Sequence, residues 1–147
     1  MKSASPAQTR ALGEQIAQSL RAGDVLILSG DLGAGKSELT RGIAKGLGIE
    51  GPIPSPSFTI LNVYEHGRIP LWHFDWYRLN SSSEIYEMGM DEYLGGNGIC
   101  VIEWPSQCPD AIPQDCLEIE MTVLSEEERE ITLHSRGNFR TLNDMGW

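Results

Sequence analysis

Apolar positions recur along this chain in two rhythms. Leu12, Ile16 and Leu20 fall four residues apart, the spacing of one helical stripe. They predict a helix over 5–22: Ser5 can cap it, Pro6 suits the first helical position, Gln8 completes a capping-box pattern and Gly23 stops it. DVLILS (24–29) is short and apolar, as a buried strand is. Leu39, Ile43 and Leu47 repeat the helical stripe over 36–47, ahead of Gly48. The Gly-, Pro- and Ser-rich stretch after it is a loop. Residues 58–79 predict two strands around the turn EHGR. In the second, Trp72, Phe74 and Trp76 alternate with His73, Asp75 and Tyr77, so an aromatic face backs a polar one. SSSEIYEMGMDEYLGG predicts one or two short helices, GICVIEW a buried strand and PSQCPDAIP a loop. Leu117, Ile119, Met121 and Val123, then Ile131 and Leu133, predict a hairpin around SEEE. The closing RGNFRTLNDMGW fits neither rhythm. The order of elements predicts an α/β fold whose sheet mixes parallel and antiparallel pairs.

Length and charge narrow this further. The chain has 147 residues, which suits a single domain over 1–147. Its net charge is −10, with 21 acids against 11 bases, and no two basic residues are adjacent. Stand-alone nucleic-acid binders show a basic footprint, so that class is disfavoured. Cys100, Cys108 and Cys116 form no CxxC pair and read as free thiols in a reducing compartment. The N-terminus lacks an apolar signal core, and no apolar run nears membrane-spanning length; a cytoplasmic protein without a membrane partner is expected.

GDLGAGKS, from Gly30 to Ser37, fits the pattern G-x-x-x-x-G-K-[ST]. Gly33 and Gly35 let the backbone turn its N–H groups inward on phosphate oxygens. The helix that follows aims its positive end at the same anion. Lys36 carries charge to the β- and γ-phosphates, and the Ser37 hydroxyl can ligate Mg²⁺. An apolar strand before the motif and an amphipathic helix after it supply the context the motif requires. A magnesium-holding acid is then expected at a strand end. Glu103 closes ICVIE and Asp75 closes LWHFD. Glu103 has the cleaner buried-strand setting and is preferred for the metal. Asp75 can orient or deprotonate the attacking water, or hold the metal's waters. No Asn-Lys-x-Asp element for guanine occurs, so ATP is the expected nucleotide. SPSF adds the hydroxyls of Ser55 and Ser57, placed where a mobile segment can sense the γ-phosphate.

Together and in this order, GDLGAGKS, SPSF, HFDWYRL, MGMDEYL and VIEW resemble the TsaE family over about residues 5–135. The resemblance implies an α/β, P-loop NTPase-like three-layer sandwich with a mixed central sheet. It implies a weak, Mg²⁺-dependent ATPase required for threonylcarbamoyladenosine in tRNA. Such a protein acts on its partners TsaD and TsaB, which hold the tRNA, rather than binding tRNA itself. Carried onto matching positions, Gly33, Ala34, Gly35, Lys36, Ser37 and Glu38 bind the nucleotide, Ser37 and Glu103 serve Mg²⁺, and Lys36 and Asp75 serve hydrolysis. Trp104 matches a family tryptophan near the nucleotide, with core packing as its other reading. Arg129 matches a basic residue that approaches the nucleotide, with a solvated turn arginine as its other reading. The family usually has Thr where Ser37 and Ser57 stand; the hydroxyl is kept and the methyl lost. Two other functions compete: a small-molecule kinase, which would need several arginines over the transferred phosphate, and a nucleotide-gated binding module with negligible hydrolysis.

Overall fold

The computed structural model describes residues 1–31, 33–56 and 59–140. In chain order the elements are β1 (Lys2–Ser3), α1 (Pro6–Ala17), β2 (Val25–Ser29), α2 (Lys36–Gly46), β3 (Leu61–Tyr64), β4 (Leu71–Asp75), α3 (Ser83–Glu87), β5 (Ile99–Glu103), β6 (Cys116–Val123) and β7 (Arg129–Arg136). Single 3₁₀ turns cover Met90–Glu92, Pro105–Gln107 and Pro109–Ala111. The strands form one sheet in the order β1-β7-β6-β2-β5-β4-β3. The pairs β6–β2, β2–β5 and β5–β4 are parallel, whereas β3 and β7 run antiparallel to their neighbours. This is the expected α/β architecture with a mixed sheet.

Alternation along the strands splits the interior in two. Leu26 and Leu28 of β2, Val101 of β5 and Leu117 and Ile119 of β6 face α1 and α2. Val25, Ile27, Cys100, Ile102 and the aromatics Trp72, Phe74 and Trp76 face the other way, beneath Ile85 of α3. The short elements of this second layer cover the β4 side. The same face of β6 carries Glu118 and Glu120, which stay partly or fully exposed. Cys100, Cys108 and Cys116 are buried and unbridged. Loss of water pushes the Cys100 thiol up to about 12, which leaves it protonated and inert at neutral pH.

Three details differ from the sequence expectation. Helix α1 ends at Ala17 rather than near residue 22. The backbone tightens there, with Gln18, Ser19 and Leu20 each donating to the carbonyl three residues earlier. Leu20 still reaches the core at 3% exposure, so the apolar stripe outlasts the helix. Strand β1 is too short to leave a period in the sequence, and it pairs antiparallel with β7 at the sheet edge. The stretch 105–112, expected as loop, contains two of the 3₁₀ turns. The α1 cap forms as expected, with the Ser5 hydroxyl accepting from Gln8 N, although the Gln8 side chain accepts from Ala4 rather than from Ser5.

Candidate functional site: a phosphate loop facing two strand-end carboxylates

Strand β2 ends at Ser29 and α2 begins at Lys36, so the glycine-rich segment is the β2–α2 connection. Gly33 and Gly35 hold φ of 85° and 96°, a region that a side chain disfavours. Gly35 is the residue ahead of the first turn of α2 and puts the helix's free N–H groups toward the cleft. The Lys36 side chain doubles back over the loop. Its Nζ donates to Gly30 O at 3.0 Å and lies 4.0 Å from the centre of the Trp104 ring. Burial lowers the Lys36 pKa, and the negative charges of Glu103, Asp75 and Asp31 partly offset that effect.

The carboxylates come from the neighbouring strand ends. β4 and β5 pair in parallel with Asp75 beside Glu103, and β2 puts Leu28 on the other side of Glu103. Both acids are nearly buried, at 6% and 5% exposure. Asp75 Oδ1 accepts from Tyr77 N at 2.9 Å. Glu103 Oε2 lies 2.6 Å from His73 Nε2. Two like charges side by side in a sheet repel. Lys36 is a cation that faces both, and a site for a second positive charge follows from the arrangement. Among the described residues no cluster of three or more His, Cys, Asp or Glu side chains can hold a metal alone.

Of the residues singled out in the sequence, all but Ala34 border one cleft of about 310 Å³. Ala34 is fully buried beneath the loop and can present only its backbone. Ser55 lies on the same cleft; Ser57 falls outside the described residues. Trp104 sits in the left-handed region (φ 58°, ψ 51°), a strained turn that carries its ring off the end of β5 and over Lys36. The Tyr77 ring packs against the Trp104 ring at 4.9 Å between centroids. Trp104 is therefore a rim residue rather than core. Arg129 is half-buried at the edge of the cleft and is held by backbone carbonyls. Its Nε and Nη2 donate to Ala34 O and Gly33 O, both at 3.1 Å, and Nη1 donates to Ser125 O at 2.8 Å. It straps the outside of the phosphate loop to the β6–β7 turn. The Glu38 carboxylate is held by Arg10 and Arg41. Pro6 and Thr9 of α1 and Glu127 of the β6–β7 turn also border the cleft. Nothing in their local sequence marks them, because only the sheet order brings them there. His73 had a signal: it shares the strand parity of Asp75.

Known proteins are similar to this chain over most of its length. The family model described as "Threonylcarbamoyl adenosine biosynthesis protein TsaE" matches residues 3–131. The chain belongs to the TsaE family. The TsaE protein of Bacillus subtilis is 42% identical over 93% of this chain and 85% of its own length. That of Treponema pallidum is 41% identical over 89% and 96%. The crystal structure of Bacillus subtilis YdiB superposes with a TM-score of 0.82 at 39% identity, over 94% of this chain and 85% of that one. The fold is thus shared, over most of both chains.

Proposed function

We propose that this TsaE protein binds ATP with Mg²⁺, hydrolyses it slowly, and through that cycle acts on the TsaB–TsaD pair in the threonylcarbamoyladenosine modification of tRNA. The observation that carries the reading is the β2–α2 phosphate loop facing the adjacent, buried Asp75 and Glu103. The loop's N–H groups and the start of α2 hold phosphate oxygens. Lys36 leaves Gly30 O and donates to the β- and γ-phosphates. Ser37 and Glu103 would hold Mg²⁺, which neutralises charge building on the phosphates. Asp75, held in place by Tyr77 N, orients water and accepts its proton. The water oxygen then bonds to the γ-phosphorus as the bond to the bridging oxygen breaks. The partners would hold the tRNA and this chain would not.

A kinase needs arginines free to reach a transferred phosphate. Arg129, which borders the cleft, is engaged on loop carbonyls, and Arg10 and Arg41 lie outside it, engaged on Glu38. The test is ATP turnover by the purified chain with and without the TsaB–TsaD pair. Slow turnover alone and strong stimulation by the pair are expected. No Mg²⁺-dependent turnover in either condition would overturn the proposal.

A further inference from the structure

We propose that His73 is a positioning residue for Glu103: its Nε2–H fixes one oxygen of that carboxylate so that the other is presented to a divalent cation. The inference rests on reading Glu103 as the metal-holding acid. His73 lies on β4 directly opposite Val101, so it reaches Glu103 along the diagonal, two residues further up β5. The imidazole is 1% exposed and the carboxylate 5%. A carboxylate has only lone pairs to offer, so Nε2 carries the hydrogen of the 2.6 Å contact. Oε2 is thereby occupied and Oε1 remains for a cation. Without the histidine, Glu103 has rotamers that swing it along the strand end toward Lys36 or Asp75.

Packing alone does not explain a histidine here. Its Nδ1 is buried with no hydrogen-bond partner among the described residues. An orphaned buried nitrogen costs stability, and an apolar residue of similar size would avoid that cost. Among the described residues, the ring's one polar contact is with Glu103. Imidazoles and carboxylates placed behind metal ligands act in this way in other metal sites, where their loss costs about 10–100-fold in metal affinity.

The experiment titrates Mg²⁺ into the full chain with N-methylanthraniloyl-ATP and repeats the nucleotide titration in EDTA. His73→Gln can present its amide N–H near the Nε2 position and His73→Asn near Nδ1, so the two differ in reach rather than polarity. With His73→Asn, half-saturation should need about tenfold more Mg²⁺, while nucleotide affinity in EDTA stays within about twofold. His73→Gln should recover most of the Mg²⁺ dependence. In a Glu103→Gln background, His73→Asn should add no further loss. Equal behaviour of the Gln and Asn variants, parallel losses with and without Mg²⁺, or full additivity with Glu103→Gln would overturn the proposal. If Glu103→Gln leaves the Mg²⁺ dependence unchanged, the metal role of Glu103 fails first, and this inference with it. If Glu103→Gln abolishes the dependence and His73→Asn does not, only this inference fails.

Discussion

Lys36 is held in a setting that disfavours its charge. Burial lowers its pKa more than Glu103, Asp75 and Asp31 raise it. A lowered lysine pKa means that the unfolded chain holds the proton more tightly. The charge therefore opposes folding below the folded pKa, and the penalty fades as the pH rises toward 10.5. Lys36→Met keeps the stem and drops the ammonium. Its thermal midpoint at neutral pH should equal or exceed that of the parent, while ATP affinity falls by about 2–3 kcal/mol, roughly 30- to 150-fold. Calorimetry and a melting curve on one sample check both; a large loss of stability with affinity retained would show the lysine to be structural. At this scale the sequence was informative wherever chemistry imposes a spacing. Gly33, Gly35, Lys36 and Ser37 are fixed by the loop, and Asp75 and Glu103 by their place at strand ends. The hydrogen bonds of Arg129 were not legible, because its carbonyl partners lie 95 and 96 residues away in sequence. The His73–Glu103 contact was hidden for a related reason: a diagonal pair depends on strand register, which parity alone does not give.

Helices α1 and α2 form the layer beneath the phosphate loop and meet through glycine. A methyl group on Gly42 would lie 2.0 Å from Arg10 O, and one on Gly13 would lie 2.4 Å from Leu39 O. Helix propensity alone predicts that Gly42→Ala gains about 1 kcal/mol. The contact is with backbone, which cannot rotate away, so overpacking should win and cost about 2 kcal/mol net or more. Denaturant unfolding of Gly42→Ala measures the sign directly, and a stabilised variant would mean that the helices part easily. Because α2 begins at Lys36, the same variant should also weaken ATP binding, by moving the helix against the loop it supports. The apolar stripes of both helices were plain in the sequence; how closely the helices approach was not. No local pattern singles out Gly13 and Gly42, since their reason lies on the opposing element. The end of α1 was misjudged for a similar cause, as the stripe continues to Leu20 while the hydrogen bonding has already tightened at Gln18.

Over the whole molecule, charge bears on how the protein would meet a tRNA pathway. The net charge is −10. The densest basic grouping borders a groove at Arg10, Arg41 and Lys45, but Arg10 and Arg41 share Glu38 and Lys45 lies 3.6 Å from Glu14. Little positive potential is left there to release counterions from a phosphate backbone, and that release is the main source of non-specific affinity for nucleic acid. Screening at about 0.15 M salt confines what remains to about 8 Å. The phosphate loop is a different kind of anion site: in the proposed function it takes a compact terminal phosphate chain, in a cleft of about 310 Å³. The chain alone should therefore show no saturable tRNA binding at about 0.15 M salt, with any residual affinity weaker than about 10⁻⁴ M. Its ATP affinity should be the same with tRNA present or absent. Filter binding with labelled tRNA, followed by the ATP titration in its presence, tests both halves. Saturable binding near 10⁻⁶ M or tighter would place tRNA on this chain and remove the need for partners to carry it.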